Sequence, residues 1–99
     1  MLEIERKEDG QVRISGRLDA AEAPRAQSFL DEVSGKTVVD LGGLDYISSA
    51  GLAVLLRTQK RLLPSGGGLS LVNVSHHVYD ILRYSGFDQV FEIEAPPKG

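Results

Sequence analysis

The chain has 99 residues with an apolar share of 41%, which is enough for one domain with a single two-layer core. Charged residues make up 25% and the net charge is -3 at pH 7, a balance that argues against nucleic-acid binding, since nucleic-acid binders carry a basic patch. The absence of cysteine excludes disulfides, thiolate catalysis and cysteine-based metal sites. Neither a signal peptide nor an apolar run of membrane-spanning length is recognisable, so we expect a cytoplasmic protein without a membrane partner.

The start of the chain is typical of a β-hairpin. Leu2 and Ile4 alternate with charged residues, which predicts a first strand. Asp9–Gly10 is a common hairpin turn, and residues 12–18 continue as a second strand that is interrupted at Gly16. We therefore expect the first two strands to be antiparallel.

A first helix is predicted over residues 20–33, where apolar side chains recur at helical spacing. Proline belongs in the first turn of a helix, so Pro24 sets the start near Ala23 and leaves Asp19 just outside. Ser34–Gly35 is expected to end this helix.

A short β-branched run, Thr37 to Leu41, predicts a central strand that is covered on both faces. A loop is expected at Gly42–Gly43, ordered by hydrogen bonds from backbone N–H groups to the Asp40 carboxylate. A second helix follows over residues 49–63. Five leucines form its predicted core face: Leu52, Leu55, Leu56, Leu62 and Leu63.

The remaining segments predict a strand over residues 69–74 and a third helix that begins after Ser75 and stops at Gly86. A short terminal strand is expected near residues 90–93, and residues 95–99 are expected to be a disordered tail. Strands that alternate with helices in this way predict an α/β domain with a mixed sheet and parallel crossovers.

Two adjacent hydroxyls, Ser48 and Ser49, come directly before the second helix. Serine is a preferred N-cap, because its oxygen accepts a backbone N–H of the first turn. A helix N-terminus also carries partial positive charge and therefore tolerates a phosphate. The residues alone leave both roles open, a helix cap or a phosphate acceptor.

Enzymatic roles find little support in the motifs. A serine hydrolase needs a nucleophile, a base and an orienting group, but the only histidines, His76 and His77, are neighbours that point in different directions on a helix. Residues 49–51 do not form the G-x-S-x-G nucleophile motif, and the two histidines lack the i, i+4 spacing of a helical metal site. We expect no catalytic residue, no metal and no cofactor.

A stripe of four residues runs along the second helix from the serines: Ala50, Ala53, Arg57 and Lys60. The small side chains allow another protein to approach closely, and the cations attract an acidic partner. The alternative interpretation of this stripe is a plain solvent-exposed face.

Several segments in this order resemble a STAS domain, in particular the bacterial anti-sigma factor antagonists. The segments are Gly16–Asp19, Val38–Leu41, Tyr46–Leu52, Val54–Leu56 and Leu82–Phe87. The resemblance spans nearly the whole chain, so we expect a single STAS domain over residues 1–99. It implies a small mixed sheet with helices packed mainly on one face.

The resemblance also implies a function by partner switching. The unphosphorylated antagonist binds an anti-sigma factor that is also a serine kinase, and so frees a sigma factor. The kinase then phosphorylates the antagonist at the start of the second helix, the complex dissociates, and a serine phosphatase resets it. Such a protein is a kinase substrate and not an enzyme, and we expect it to be monomeric when free. The alternative is a STAS subunit of a transport or stress-signalling complex that is not switched.

One departure from the family pattern concerns the phosphate acceptor. The common motif is Asp-Ser-Ser-Gly-Leu, with phosphate often on the second serine, and alignment on Gly51 places Ala50 at that position. Ser49 is therefore the expected acceptor and Ser48 the second choice, unless the protein is not switched in this way. The resemblance places the Asp19 loop beside the acceptor. The predicted partner-binding residues are Asp19, Ser48, Ser49, Ala50, Gly51, Ala53 and Arg57.

Overall fold

Five strands and three α-helices follow one another in the computed structural model, which describes residues 1–94 and 96. The strands are β1 (Leu2–Arg6), β2 (Val12–Leu18), β3 (Lys36–Ile47), β4 (Gly68–Val72) and β5 (Glu92–Ile93). The helices are α1 (Ala23–Leu30), α2 (Ser49–Leu62) and α3 (His76–Tyr84). The predicted disordered tail, residues 95–99, lies outside the described residues apart from residue 96.

The strands form one sheet in their sequence order, β1-β2-β3-β4-β5. β1 and β2 are antiparallel and joined by a tight turn in which Gly10 has a φ of 88°, while the other three pairs are parallel. Each parallel connection contains one helix. Right-handed crossovers that all advance in one direction place their helices on one face of the sheet, and this architecture confirms the predicted α/β class.

None of the helices found among residues 1–94 and 96 covers the opposite face of the sheet. In β3, Thr37, Val39 and Leu41 are buried, whereas Val38 and Asp40 on the other face are partly exposed. The prediction that this strand is covered on both faces is therefore wrong. The helices cover one side of the sheet, and the core lies between them and that side.

β3 is longer than predicted and passes through the expected loop at Gly42–Gly43. It continues because its second half pairs with β2, with Gly43 opposite Ser15 and Ile47 opposite Leu18 after a register shift. A Cβ on Gly43 would lie 2.7 Å from the Ser15 Cβ, so glycine allows the two strands to approach. The Asp40 carboxylate accepts a hydrogen bond from the Gly42 N–H at 2.8 Å, which confirms its predicted ordering role.

The first helix is shorter than predicted, since α1 ends at Leu30 and not at Ser34–Gly35. The Arg61 guanidinium of α2 donates to the Leu30 and Val33 carbonyl oxygens, at 2.9 and 2.7 Å. A side chain from the neighbouring helix thus satisfies carbonyls at the end of α1.

The buried face of α2 also differs from the predicted leucine face. Leu55 and Leu62 are buried, but Leu63 is 51% exposed and Leu52 and Leu56 are only partly buried. Two polar residues, Thr58 and Gln59, are buried in the same face.

Gln59 replaces a strand neighbour where β5 is too short to provide one. Its Oε1 accepts from the Leu69 N–H at 2.7 Å, and its Nε2 donates to the Val90 carbonyl oxygen at 2.8 Å. The amide thereby bridges β4 to the segment that enters β5.

Replacing Gln59 with leucine should lower the free energy of unfolding by about 1–3 kcal/mol, because the buried Leu69 N–H loses its acceptor. Urea denaturation measures this loss. Lys60→Leu, at the next and exposed position, is the matched control and should change stability by no more than about 0.5 kcal/mol. Equal stability of the two variants would contradict the bridging role of Gln59.

Candidate partner-binding surface

The end of β2 meets the start of α2 at the Leu18 carbonyl group. β2 and β3 are parallel neighbours that end opposite each other, at Leu18 and Ile47. The Ser48 N–H donates to the Leu18 carbonyl oxygen at 3.0 Å, and the Ser48 hydroxyl lies 3.4 Å from the same oxygen. Because Asp19 follows Leu18, the carboxylate and the serine pair lie at one end of the sheet.

Ser48 is the N-cap of α2. Its backbone is extended, with φ -92° and ψ 174°, and its Oγ accepts from the Gly51 N–H at 3.3 Å. The hydroxyl therefore makes two hydrogen bonds, one as acceptor from the first turn of α2 and one as donor to the end of β2. Ser48 has a structural role in the fold.

Ser49 is the first residue of α2 and is exposed. Within the described part of the chain, its hydroxyl has no hydrogen-bond partner. It also lies in the first turn, where the partial positive charge of the helix favours an anion. Of the two serines, Ser49 is the one that can react or be contacted without the loss of a bond.

Gly51 is buried beneath this surface. A Cβ at this position would lie 2.6 Å from the Leu18 carbonyl oxygen and 2.9 Å from the Ile47 Cγ1. Glycine therefore lets the first turn of α2 rest directly on the ends of β2 and β3. Gly51 therefore has a packing role beneath the predicted partner-binding surface.

Asp19 organises the entry into α1. Its Oδ1 accepts from the Glu22 N–H at 3.1 Å, and its carbonyl oxygen accepts from the Ala23 N–H at 2.9 Å. The side chain is partly exposed. Asp19 therefore lies just outside the helix, as predicted, and holds the start of α1 beside the start of α2.

The predicted stripe on α2 divides into two parts. Ala50 and Arg57 line a groove between α1 and α2, and the Arg57 Nη1 donates to the Gln27 Oε1 of α1 at 3.0 Å. Ala53, which is partly exposed, and Lys60, which is exposed, do not line this groove. The stripe therefore borders α1 on one side and solvent on the other.

Among the described residues, no group of three or more His, Asp or Glu side chains could hold a metal ion. His76 and His77 are exposed at the start of α3. The described helices include none that is long and apolar enough to cross a membrane. The chemical groups gathered at this surface are a free hydroxyl, a carboxylate and a guanidinium.

Comparison with known proteins identifies the family. The model described as "Mlab, STAS domain" matches residues 2–93. The chain belongs to the STAS domain family. This agrees with the resemblance seen in the sequence motifs.

Two relatives of this STAS domain are named as anti-sigma factor antagonists. BtrV of Bordetella bronchiseptica, named provisionally as an anti-sigma factor antagonist, is 37% identical over 84 residues, which cover 81% of this chain and 72% of BtrV. The anti-sigma-B factor antagonist of Bacillus subtilis is 30% identical over 94 residues, which cover 92% of this chain and 86% of that protein. A solved anti-sigma factor antagonist from Mycobacterium paratuberculosis has the same fold, with a TM-score of 0.80, 24% identity, and coverage of 99% of this chain and 86% of that one.

The two serines of the STAS domain should differ in their effect on stability. Ser48→Ala removes the cap of α2 and should lower the free energy of unfolding by about 0.5–2 kcal/mol. Ser49→Ala removes an exposed hydroxyl that makes no hydrogen bond, so its free energy of unfolding should stay within about 0.5 kcal/mol of that of the parent. Urea denaturation of both variants measures the difference, and a larger loss in Ser49→Ala would contradict the assigned cap.

Proposed function

We propose that this STAS domain is an anti-sigma factor antagonist that binds an anti-sigma factor with serine kinase activity, and that phosphorylation of Ser49 ends the binding. The observation that carries the proposal is the free, exposed hydroxyl of Ser49 in the first turn of α2, beside the Asp19 loop. The names of two relatives support the same role. The protein acts by binding and not by catalysis, in the cytoplasm, as a monomer when free, and a serine phosphatase resets it.

Ser49 suits a reversible switch for electrostatic reasons. A phosphate adds about -1.5 to -2 charge at pH 7, and the helix dipole and free N–H groups of the first turn favour that charge. No hydrogen bond of the described fold has to break, since the hydroxyl makes none. A phosphate on Ser48 would instead remove the donor that meets Leu18 and would crowd the cap. The fold therefore survives modification at Ser49, and the effect falls on the partner.

The partner surface combines the Asp19 loop with the exposed start of α2. Ser48 and Gly51 support it from below, through the cap and the close packing on Leu18. Ala50, Ala53 and Arg57 extend it along the helix, where two small side chains admit a partner and a guanidinium attracts an acidic one. A phosphate on Ser49 adds bulk and negative charge at the start of this surface, and it therefore repels the same acidic partner.

One observation favours a second candidate function. Ala50 occupies the position that the resemblance assigns to the usual acceptor, and alanine carries no hydroxyl. A STAS subunit of a transport or stress-signalling complex would bind its partners through the same surface without a phosphate. The two candidates differ in whether a kinase modifies the protein.

The kinase assay should give one added phosphate on the parent protein. The assay uses the anti-sigma factor kinase encoded in the same genome, with Mg-ATP, and reads the intact mass of the antagonist. Ser49→Ala should bind the kinase and remain unmodified, whereas Ser48→Ala should still accept phosphate. Ser49→Asp should bind at least about tenfold more weakly, a change of about 1.4 kcal/mol, with little change in melting temperature.

Ser34→Asp is the matched control for added charge, because Ser34 is exposed in the loop after α1. It should bind like the parent. Phosphate on the double variant Ser48→Ala, Ser49→Ala would show that the acceptor is elsewhere. Binding of the parent without any modification would favour the non-switching alternative, and no binding would overturn the antagonist role.

A further inference from the structure

α1 and α2 run side by side in the same direction and leave a groove open between their exposed faces. The volume of the groove is about 420 Å³. Its lining includes four residues of the α1 side, Ala20, Ala23, Gln27 and Ser28, and two of α2, Ala50 and Arg57. We call this groove the α1–α2 slot.

The two ends of the slot differ in chemistry. The end beside Asp19 and the start of α2 is lined by small apolar side chains, because Ala20, Ala23 and Ala50 meet there. The far end is polar, since Gln27 of α1 contacts Arg57 and Thr58 of α2. The slot thus offers an apolar recess that leads to a guanidinium.

The guanidinium at the polar end is held in place by a network. Gln27 accepts from the Arg57 Nη1 at 3.0 Å and donates to the Asp31 carboxylate at 2.9 Å and to the buried Thr58 hydroxyl at 3.3 Å. Thr58 in turn donates to the Val54 carbonyl oxygen at 2.9 Å. All the polar groups of the Gln27 amide are therefore used, and the amide anchors one N–H of Arg57.

Among residues 1–94 and 96, no carboxylate lies within 4.0 Å of the Arg57 guanidinium. The ion pair found there joins Arg25 to Glu22. Asp31 reaches Arg57 only through the Gln27 amide, and an oriented cation without a direct ion pair favours a ligand that brings a carboxylate. The apolar recess beside it favours a hydrophobic side chain. An acidic and hydrophobic segment of a protein satisfies both requirements.

We propose that the α1–α2 slot receives one apolar side chain of the anti-sigma factor, and that a carboxylate farther along the same segment pairs with Arg57. This inference rests on the proposed function and adds the chemistry of the partner. Ala50 and Arg57 are seven residues apart on α2, about 10 Å along the helix axis. The apolar side chain and the carboxylate should therefore be about 10 Å apart on the partner, or seven residues if that segment is a helix.

The slot also gives Ala50 a role. A serine or a phosphoserine at this position would place polar atoms in the recess, whereas alanine keeps it apolar. Ser49 precedes Ala50 by one residue and lies about 100° farther round the helix, outside the slot. A phosphate on Ser49 therefore repels the partner from a position beside the recess, and it does not fill the recess.

Filling the recess provides the first test. Ala20→Leu should weaken binding of the purified anti-sigma factor by at least about tenfold, as measured by isothermal titration calorimetry. Ala21→Leu is the matched control, because Ala21 is exposed in the same turn but does not line the slot, and its affinity should stay within about twofold of the parent. Ser28→Leu, an exposed change at another position of the lining, replaces Ala20→Leu if urea denaturation shows that the latter is destabilised.

Reversing the charge provides the second test. Arg57→Glu should weaken binding by at least about tenfold, while Lys60→Glu, an exposed change on the same helix outside the slot, should have a smaller effect. A change of the partner's carboxylate to lysine should restore the affinity of Arg57→Glu.

The outcomes separate this inference from the proposed function. If the parent binds the anti-sigma factor and the slot variants bind equally well, the slot assignment is wrong and the antagonist role stands. If the parent does not bind, the antagonist role falls, and the slot assignment falls with it. Self-association of the parent that Ala20→Leu abolishes in sedimentation experiments would show that a second copy occupies the slot, which would overturn the inference.

Discussion

The close contact between the first turn of α2 and the end of β2 holds the candidate surface together. It depends on Gly51, which has no Cβ to meet the Leu18 carbonyl oxygen, and on Ser48, whose backbone N–H binds that oxygen. The contact brings the start of α2, with Ser49, to the end of β2, where the Asp19 loop begins. A wider contact would separate Ser49 from this loop.

Most of the fold follows from local patterns in the sequence. The hairpin turn at Asp9–Gly10, the proline that begins α1 and the serine caps act within a few residues of their own position, so their effects can be read along the chain. The mixed sheet, with an antiparallel first pair and parallel crossovers, follows from the hairpin turn and the alternation of strands and helices. These features need no knowledge of distant contacts.

Local patterns mislead where distant contacts decide the local structure. The glycines at positions 42–43 favour a loop, but pairing with β2 extends β3 through them. Gln59 is a polar residue that the helical pattern assigns to the surface, and only the shortness of β5 makes its amide necessary inside. α1 ends at Leu30, whose carbonyl oxygen accepts a hydrogen bond from Arg61, 31 residues farther along the chain.

The sequence predicts which residues form the candidate surface, but it carries no information on how they are organised within it. Each of the two adjacent serines could cap the helix by residue type, and the hydrogen bonds to Leu18 and Gly51 assign the cap to Ser48 and leave Ser49 free. The stripe on α2 has helical spacing, but the position of α1 beside it divides the stripe into a slot and an exposed face. Gln27, which orients Arg57, carries no signal in the sequence because its role depends on packing between two helices.

The central claim is that phosphate on Ser49 controls partner binding without disturbing the fold. The most direct measurement compares the unmodified and the singly phosphorylated protein, separated by intact mass, in calorimetric titrations with the anti-sigma factor. The account predicts phosphate on Ser49 by fragment mass, an affinity at least about tenfold lower for the phosphorylated form, and nearly equal melting temperatures of the two forms. Equal affinities, or a loss of affinity accompanied by unfolding of the domain, would contradict it.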